Sequence, residues 1–154
     1  MIETPTITRS QAQDTALIRL TIPRPEIGKV MGPGLQEIMG ALAAQGLSPA
    51  GPWLSHHLSF PPGKFDFEIC VPVPRPVTAV GRVQPGRLEA MTVARTVLHG
   101  GYELLSAAWP ELDAWIRAQG RTPKEELWEV YRAGPESGPD PKRWRTELYR
   151  PLAE

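Results

Sequence analysis

The sequence predicts an α+β fold: two tandem strand-helix-strand-strand units with pseudo-twofold symmetry, whose antiparallel sheets form a central ligand cleft. Three observations carry this expectation. Eighteen prolines and fourteen glycines cut the 154 residues into short segments, which suits strands and tight connections better than a helical bundle. Two stretches between the cuts still show apolar residues at helical spacing. The order of elements, together with two short motifs, occurs twice.

The elements follow in order. "ALIRLTI" (16–22) alternates well enough for a strand. "GLQEIMGALAAQG" (34–46) places Leu35, Ile38, Met39 and Leu42 on one helical face and ends on Gly46, a good C-terminal cap. "PWLSHHLSF" (52–60) and "FDFEICVPV" (65–73) read as strands joined by the turn-forming "PPGK". The second half opens with "RLEAMTVARTVLHG" (87–100) as a strand and "YELLSAAWPELDAWIRAQG" (102–120) as a helix. Leu104, Leu105, Ala108, Leu112, Trp115 and Ile116 form the apolar stripe of that helix, and Pro110 implies a kink or a break. "EELWEVYR" (125–132) and "WRTELYRPL" (144–152) close the chain as strands around the loop "AGPESGPDPKR".

The repeat keeps its register. "AQGLSP" (44–49) and "AQGRTP" (118–123) superpose at an offset of 74, and "FEICVPV" (67–73) and "TELYRPL" (146–152) at an offset of 79. The longer loop around Pro139 absorbs the difference. The expected organisation is one domain over residues 1–154 built from halves at about 14–76 and 86–152, packed about a seam. A seam between repeats is a natural small-molecule site.

Charge and cysteine content narrow the function classes. Lys plus Arg and Asp plus Glu are both 17, so the formal net charge is 0 and no electrostatic grip on nucleic acid is expected. Cys70 is the only cysteine, and the three histidines lack metal-ligand spacing. No apolar run approaches the roughly 18 residues of a membrane span. The expectation is a cytoplasmic protein without metal, cofactor or membrane contact. No feature of the sequence sets an oligomeric state.

The stretch "LWEVYRAGP" (127–135) holds a carboxylate in an otherwise strand-forming run. By alternation Leu127, Glu129 and Tyr131 share one face, which looks either at water or into a pocket. On the last strand Arg145, Glu147 and Tyr149 share a face, with Trp144, Thr146 and Leu148 opposite. The offsets make Glu68 equivalent to Glu147, Cys70 to Tyr149, Trp53 to Leu127, Ser55 to Glu129, and His57 to Tyr131. Phe67, Ile69 and Val71 are apolar and cover the helix, which turns Glu68 and Cys70 to the seam; Glu147, Tyr149 and Glu129 are expected there too. Each residue also has a plainer reading. A lone strand Glu is usually solvated, Trp109 and Trp115 suit a core, and His56 and His57 suit one surface and one packed position.

These stretches together resemble the GyrI-like small-molecule-binding domain, the module that serves as effector-binding region in AraC-type and MerR-type regulators. The resemblance rests on "DFEICVPV", "ARTVLHGGYELLSAAWPELDAWI", "WEVY" followed by a Pro-Asp loop, and "TELYRPL", and covers about Ala16 to Leu152. Gly100-Gly101-Tyr102 stands where the family commonly has Gly-Pro-Tyr, and His56-His57 where a tyrosine is common. The resemblance implies an aromatic cleft with Glu129 at its floor and Tyr149 beside it, taking a hydrophobic, aromatic or cationic small molecule; Trp53, His57, Glu68, Trp109, Tyr131 and Glu147 complete the expected lining. It implies a stand-alone module in one of two roles. One is a non-catalytic binder that sequesters or senses a drug or toxin. The other is a hydrolase that opens the cyclopropane of DNA-alkylating natural products, with Glu129 activating water and Tyr149 or Tyr131 stabilising developing charge. A gyrase-inhibitor-like role follows only from the family name.

Overall fold

Along the chain run β1 (Thr6–Arg9), β2 (Gln13–Pro23), α1 (Ile27–Ala44), β3 (Leu54–Ser59), β4 (Lys64–Pro72), β5 (Gln84–Leu88), β6 (Thr92–His99), α2 (Leu105–Ala118), β7 (Leu127–Ala133) and β8 (Arg145–Pro151). The computed structural model describes all 154 residues. They divide into a first unit, Gln11–Ala90, and a second unit, Met91–Glu154 together with Met1–Ser10. The first has strand order β3-β4-β2-β5 and the second β1-β6-β8-β7, every pair being antiparallel. The α+β class and the doubled strand-helix-strand-strand order are thus present as β2-α1-β3-β4 and β6-α2-β7-β8.

Two strands fall outside the expected plan. β1 is exposed along its whole length and β5 contains Pro85 and Gly86, so neither carries an alternating apolar pattern. The single strand expected over 87–100 is instead the end of β5 and the whole of β6. Helix α1 begins at Ile27, well before Gly34, and passes through Pro33; α2 passes through Pro110 without a break. A mid-helix proline forfeits one backbone bond. Burial of Ile38 and Leu42 in α1, and of Leu112 and Ile116 in α2, offsets that loss.

The repeat is visible bond for bond. Gly46 and Gly120 sit at φ 68° and 74° after the two helices. Leu47 N–H donates to Leu42 O at 2.9 Å and Arg121 N–H to Ile116 O at 3.2 Å, while Gly46 and Gly120 donate to Ala43 O and Arg117 O. These are paired Schellman caps, and glycine takes the left-handed position at no steric cost. Ala50 N–H donates to Pro72 O and Lys124 N–H to Pro151 O, both at 2.8 Å. The register breaks between His57 and Ser59 in β3 recur between Tyr131 and Ala133 in β7.

Each unit has its own core. In the first, Ile38 and Leu42 meet Phe67, Ile69 and Val71 of β4. In the second, Leu112 and Ile116 meet Ala94, Leu98, Leu148 and Leu152. The strand face turned to the helix is therefore that of Ile69 in the first unit and that of Leu148 in the second.

Candidate functional site

Residues directly opposite across antiparallel strands point to the same face. Glu129 pairs with Leu148, and Tyr131 with Thr146. Since Leu148 packs against α2, Glu129 and Tyr131 face that helix. Trp128 pairs with Tyr149, and Val130 with Glu147, on the opposite face. This corrects the expectation that Glu129 shares a face with Glu147 and Tyr149. Alternation says which residues of one strand agree, but the pairing register between β7 and β8 decides which sets coincide. The repeat carried the signal: Ser55, the equivalent of Glu129, pairs with the core residue Ile69.

Glu129 is 8% exposed. Trp109 on α2 donates its Nε1–H to Oε2 at 2.8 Å, and Tyr131 donates its hydroxyl to Oε1 at 2.9 Å. An acceptor-only carboxylate suits two such donors. Tyr131 meets Tyr102 edge to face with centroids 5.6 Å apart, and Tyr102 lies tilted against Trp144 at 5.2 Å. The Trp144 Nε1–H is anchored on Gly138 O at 3.0 Å. Rings thus lead from the carboxylate outward through Tyr131, Tyr102 and Trp144. Burial, and then the carboxylates of Glu136 and Glu129, push the Tyr102 phenol up to about 12, so it remains a donor at neutral pH. Beyond Trp144 lies a cleft of about 330 Å³ lined also by Ser137, Gly138, Pro139, Asp140 and Arg143; Glu129 does not border it.

The other face of the second unit's sheet carries a separate cluster. Glu147 accepts from the Tyr149 hydroxyl at 2.7 Å and from Arg132 Nη1 at 2.7 Å, and pairs with Arg95 Nη2 at 3.0 Å. Burial pulls the Glu147 carboxyl up, but these hydrogen bonds and the two guanidiniums hold it below the usual carboxylate range. Tyr149 stacks on Trp128 with centroids 5.2 Å apart, and burial raises its phenol. Glu147 and Tyr149 are thereby occupied by an ion-pair network on the face away from α2.

In the first unit His57 is boxed by phenylalanines. It stacks on Phe60 and Phe67 at 5.8 and 5.1 Å and meets the edge of Phe65 at 5.3 Å. Burial, with the charges of His56 and Arg24, lowers its pKa to about 4, so it is neutral at physiological pH. Its Nδ1 is buried without a hydrogen-bond partner. Trp53 packs on the same unit's core. Glu68 turns away from that core and meets His56 Nδ1 at 3.3 Å. Burial raises the Cys70 thiol well above its ordinary range, so it stays protonated.

Of the expected residues, the structure brings together Glu129, Tyr131 and Trp109. It adds Tyr102 and Trp144 to them, and Arg95 and Arg132 to Glu147 and Tyr149. Alternation had already set Trp144 with Thr146 and Leu148, and only the register was needed to join it to Glu129. Three positions of the site are places where the halves diverge: at the offset of 74, Trp109 replaces Leu35, Glu129 replaces Ser55, and Tyr131 replaces His57.

The family model of the GyrI-like small molecule binding domain matches residues 3–153. A search of curated proteins returned no match. Among solved structures, the EcmrR C-terminal domain superposes with a TM-score of 0.86 at 20% identity, covering 98% of each chain. This chain spans 57% of the EcmrR chain in its DNA complex. A hydrolase from Listeria innocua matches with a TM-score of 0.70 at 12% identity, over 97% of this chain and 91% of that one. SAV2435, solved with tetraphenylphosphonium, matches with a TM-score of 0.69 at 16% identity, over 98% and 94%. At these identities the likeness is one of fold. No helix is long and apolar enough to cross a membrane.

Proposed function

We propose, since the chain belongs to the GyrI-like small molecule binding domain family, that it is a cytoplasmic binder of hydrophobic, aromatic cations, with Glu129 as the charge that selects them. The observation that carries this reading is the buried carboxylate of Glu129, held on both oxygens by aromatic donors and linked by ring contacts through Tyr131 and Tyr102 to Trp144. Aromatic faces attract a cation by about 0.5–2 kcal/mol each, more when water is excluded. The carboxylate adds a charge that low-dielectric surroundings screen poorly. Tetraphenylphosphonium, the ligand of the similar fold SAV2435, is a suitable probe.

Titration of the protein with tetraphenylphosphonium should quench tryptophan fluorescence saturably. Glu129→Gln keeps the shape of the site and removes the charge, so Kd should rise about 10- to 100-fold, the equivalent of 1.5–3 kcal/mol for a charged hydrogen-bonding partner. Unchanged affinity in the variant would remove Glu129 from the binding role.

A second reading, hydrolysis of a cyclopropane-bearing alkylator, draws support from the closeness of Tyr131 to Glu129. If the Tyr131 O–H turned from Glu129 to the ligand's conjugated carbonyl, it would stabilise charge there and free a carboxylate oxygen to orient water. Water would add to the ring carbon as the strained C–C bond breaks, with the proton passing to the carbonyl side. A small fraction of an equivalent of protein, incubated with such an alkylator and followed by mass, distinguishes turnover from stoichiometric capture.

A further inference from the structure

Glu136 lies on the short 3-10 turn Pro135–Ser137 that follows β7. Gly134, just before it, is buried, and a Cβ placed there would collide with the Tyr102 hydroxyl and come within 3.1 Å of Glu136 Oε2. The missing side chain is what lets the Tyr102 phenol and the Glu136 carboxylate converge on one point. Tyr102 in turn contacts Tyr131, whose hydroxyl bonds Glu129. Two carboxylates therefore act on the phenol of Tyr102: the buried Glu129, which lies behind Tyr131, and the exposed Glu136, which reaches the Tyr102 hydroxyl beside Gly134.

Two further features suit an extended occupant. The cleft of about 330 Å³ is lined by Ser137, which follows Glu136 in the chain, and by Trp144 of the ring series; neither Glu129 nor Glu136 borders it, so it offers room only for the part of a long molecule that passes Trp144. Thr146 is wholly buried and pairs with Tyr131 on the Glu129 face, yet its Oγ1 has no hydrogen-bond partner. A buried hydroxyl without a partner is uncommon and marks a place for a further polar group or water.

We propose that Glu136 is a second anionic contact, and that the site prefers ligands with two positive centres, one meeting Glu129 and the other Glu136 across the Tyr102–Trp144 pair. This rests on the reading of Glu129 as the selecting charge. Arg143, which also lines the cleft, limits how far the second cation extends, so the preference should peak at one linker length.

The test uses a series of bis-pyridinium alkanes of increasing linker length and N-butylpyridinium as the one-charge control, with binding followed by tryptophan fluorescence. In the wild-type protein one dication should bind more tightly than the control. Glu136→Gln, an exposed loop substitution, should weaken that dication roughly fivefold and leave the control unchanged. Glu129→Gln should weaken both. If Glu136→Gln changes neither ligand, or both equally, while Glu129→Gln weakens both, the second contact is overturned and the selecting charge stands. If Glu129→Gln weakens neither, the selecting charge falls and the second contact falls with it.

Discussion

At the scale of single residues, the equivalent positions His57 and Tyr131 show how one backbone place supports different chemistry. Tyr131 spends its hydroxyl on Glu129. His57 has Ser55 two residues before it instead of a carboxylate, and is enclosed by phenylalanines. Its pKa, lowered from an ordinary 6.5 to about 4, ties stability to pH. Above pH 6.5 the group is neutral in both states and has no effect. As pH falls from 6.5 to 4 the unfolded chain takes a proton that the folded chain refuses, and stability declines by about 3 kcal/mol. Glu147 adds to acid sensitivity, since its depressed carboxyl loses its contribution as the pH falls through its folded pKa. Urea unfolding at pH 7.5 and 4.5 should show a smaller acid loss in His57→Phe than in wild type. Equal losses would mean that His57 does not drive the effect.

At the scale of elements, the helix ends carry the repeat most faithfully. Gly46 and Gly120 have the same left-handed conformation and equivalent hydrogen bonds, and a Cβ on either meets nothing within 4 Å. Substitution by alanine therefore costs backbone strain alone. Gly46→Ala and Gly120→Ala should each destabilise by about 1 kcal/mol, with the two values close, as read from urea midpoints. The strand pairs are equivalent in another way: His57 opposite Phe67 corresponds to Tyr131 opposite Thr146, one register carrying different side chains. The two units thus place different side chains on a shared frame, with Trp109, Glu129 and Tyr131 of the second standing where the first has Leu35, Ser55 and His57.

At the scale of the whole molecule, two cores are built from matching positions. Ile38 and Leu112, separated by the offset of 74, are both fully buried. Ile38→Ala and Leu112→Ala should each cost about 2–5 kcal/mol in chemical denaturation, the range for large-to-small changes in a packed core. The formal net charge of 0 bears on binding as well. Without a long-range field, the proposed attraction for a cation would come from nearby carboxylates, of which the buried one is poorly screened. The Kd for tetraphenylphosphonium should then change less than about threefold between low and physiological ionic strength. A steeper dependence would point to exposed charges as the main attraction.

The sequence by itself determined the α+β class, the doubled element order and the equivalence of positions, because these rest on local signals: periodicity, turn residues and cap glycines. It also singled out Glu129 and Tyr131, since a carboxylate inside a strand-forming run stands out without any contact being known. It could not reveal β1 and β5, whose short, exposed or Pro- and Gly-containing segments form strands only because a neighbour supplies their hydrogen bonds. Above all, it could not set Glu129 beside Trp109 and apart from Glu147 and Tyr149. A strand has a period of two, and shifting its partner by one residue exchanges the faces. That choice was made by the packing of Leu148, Leu112 and Ile116 between β8 and α2, which tertiary structure alone decides.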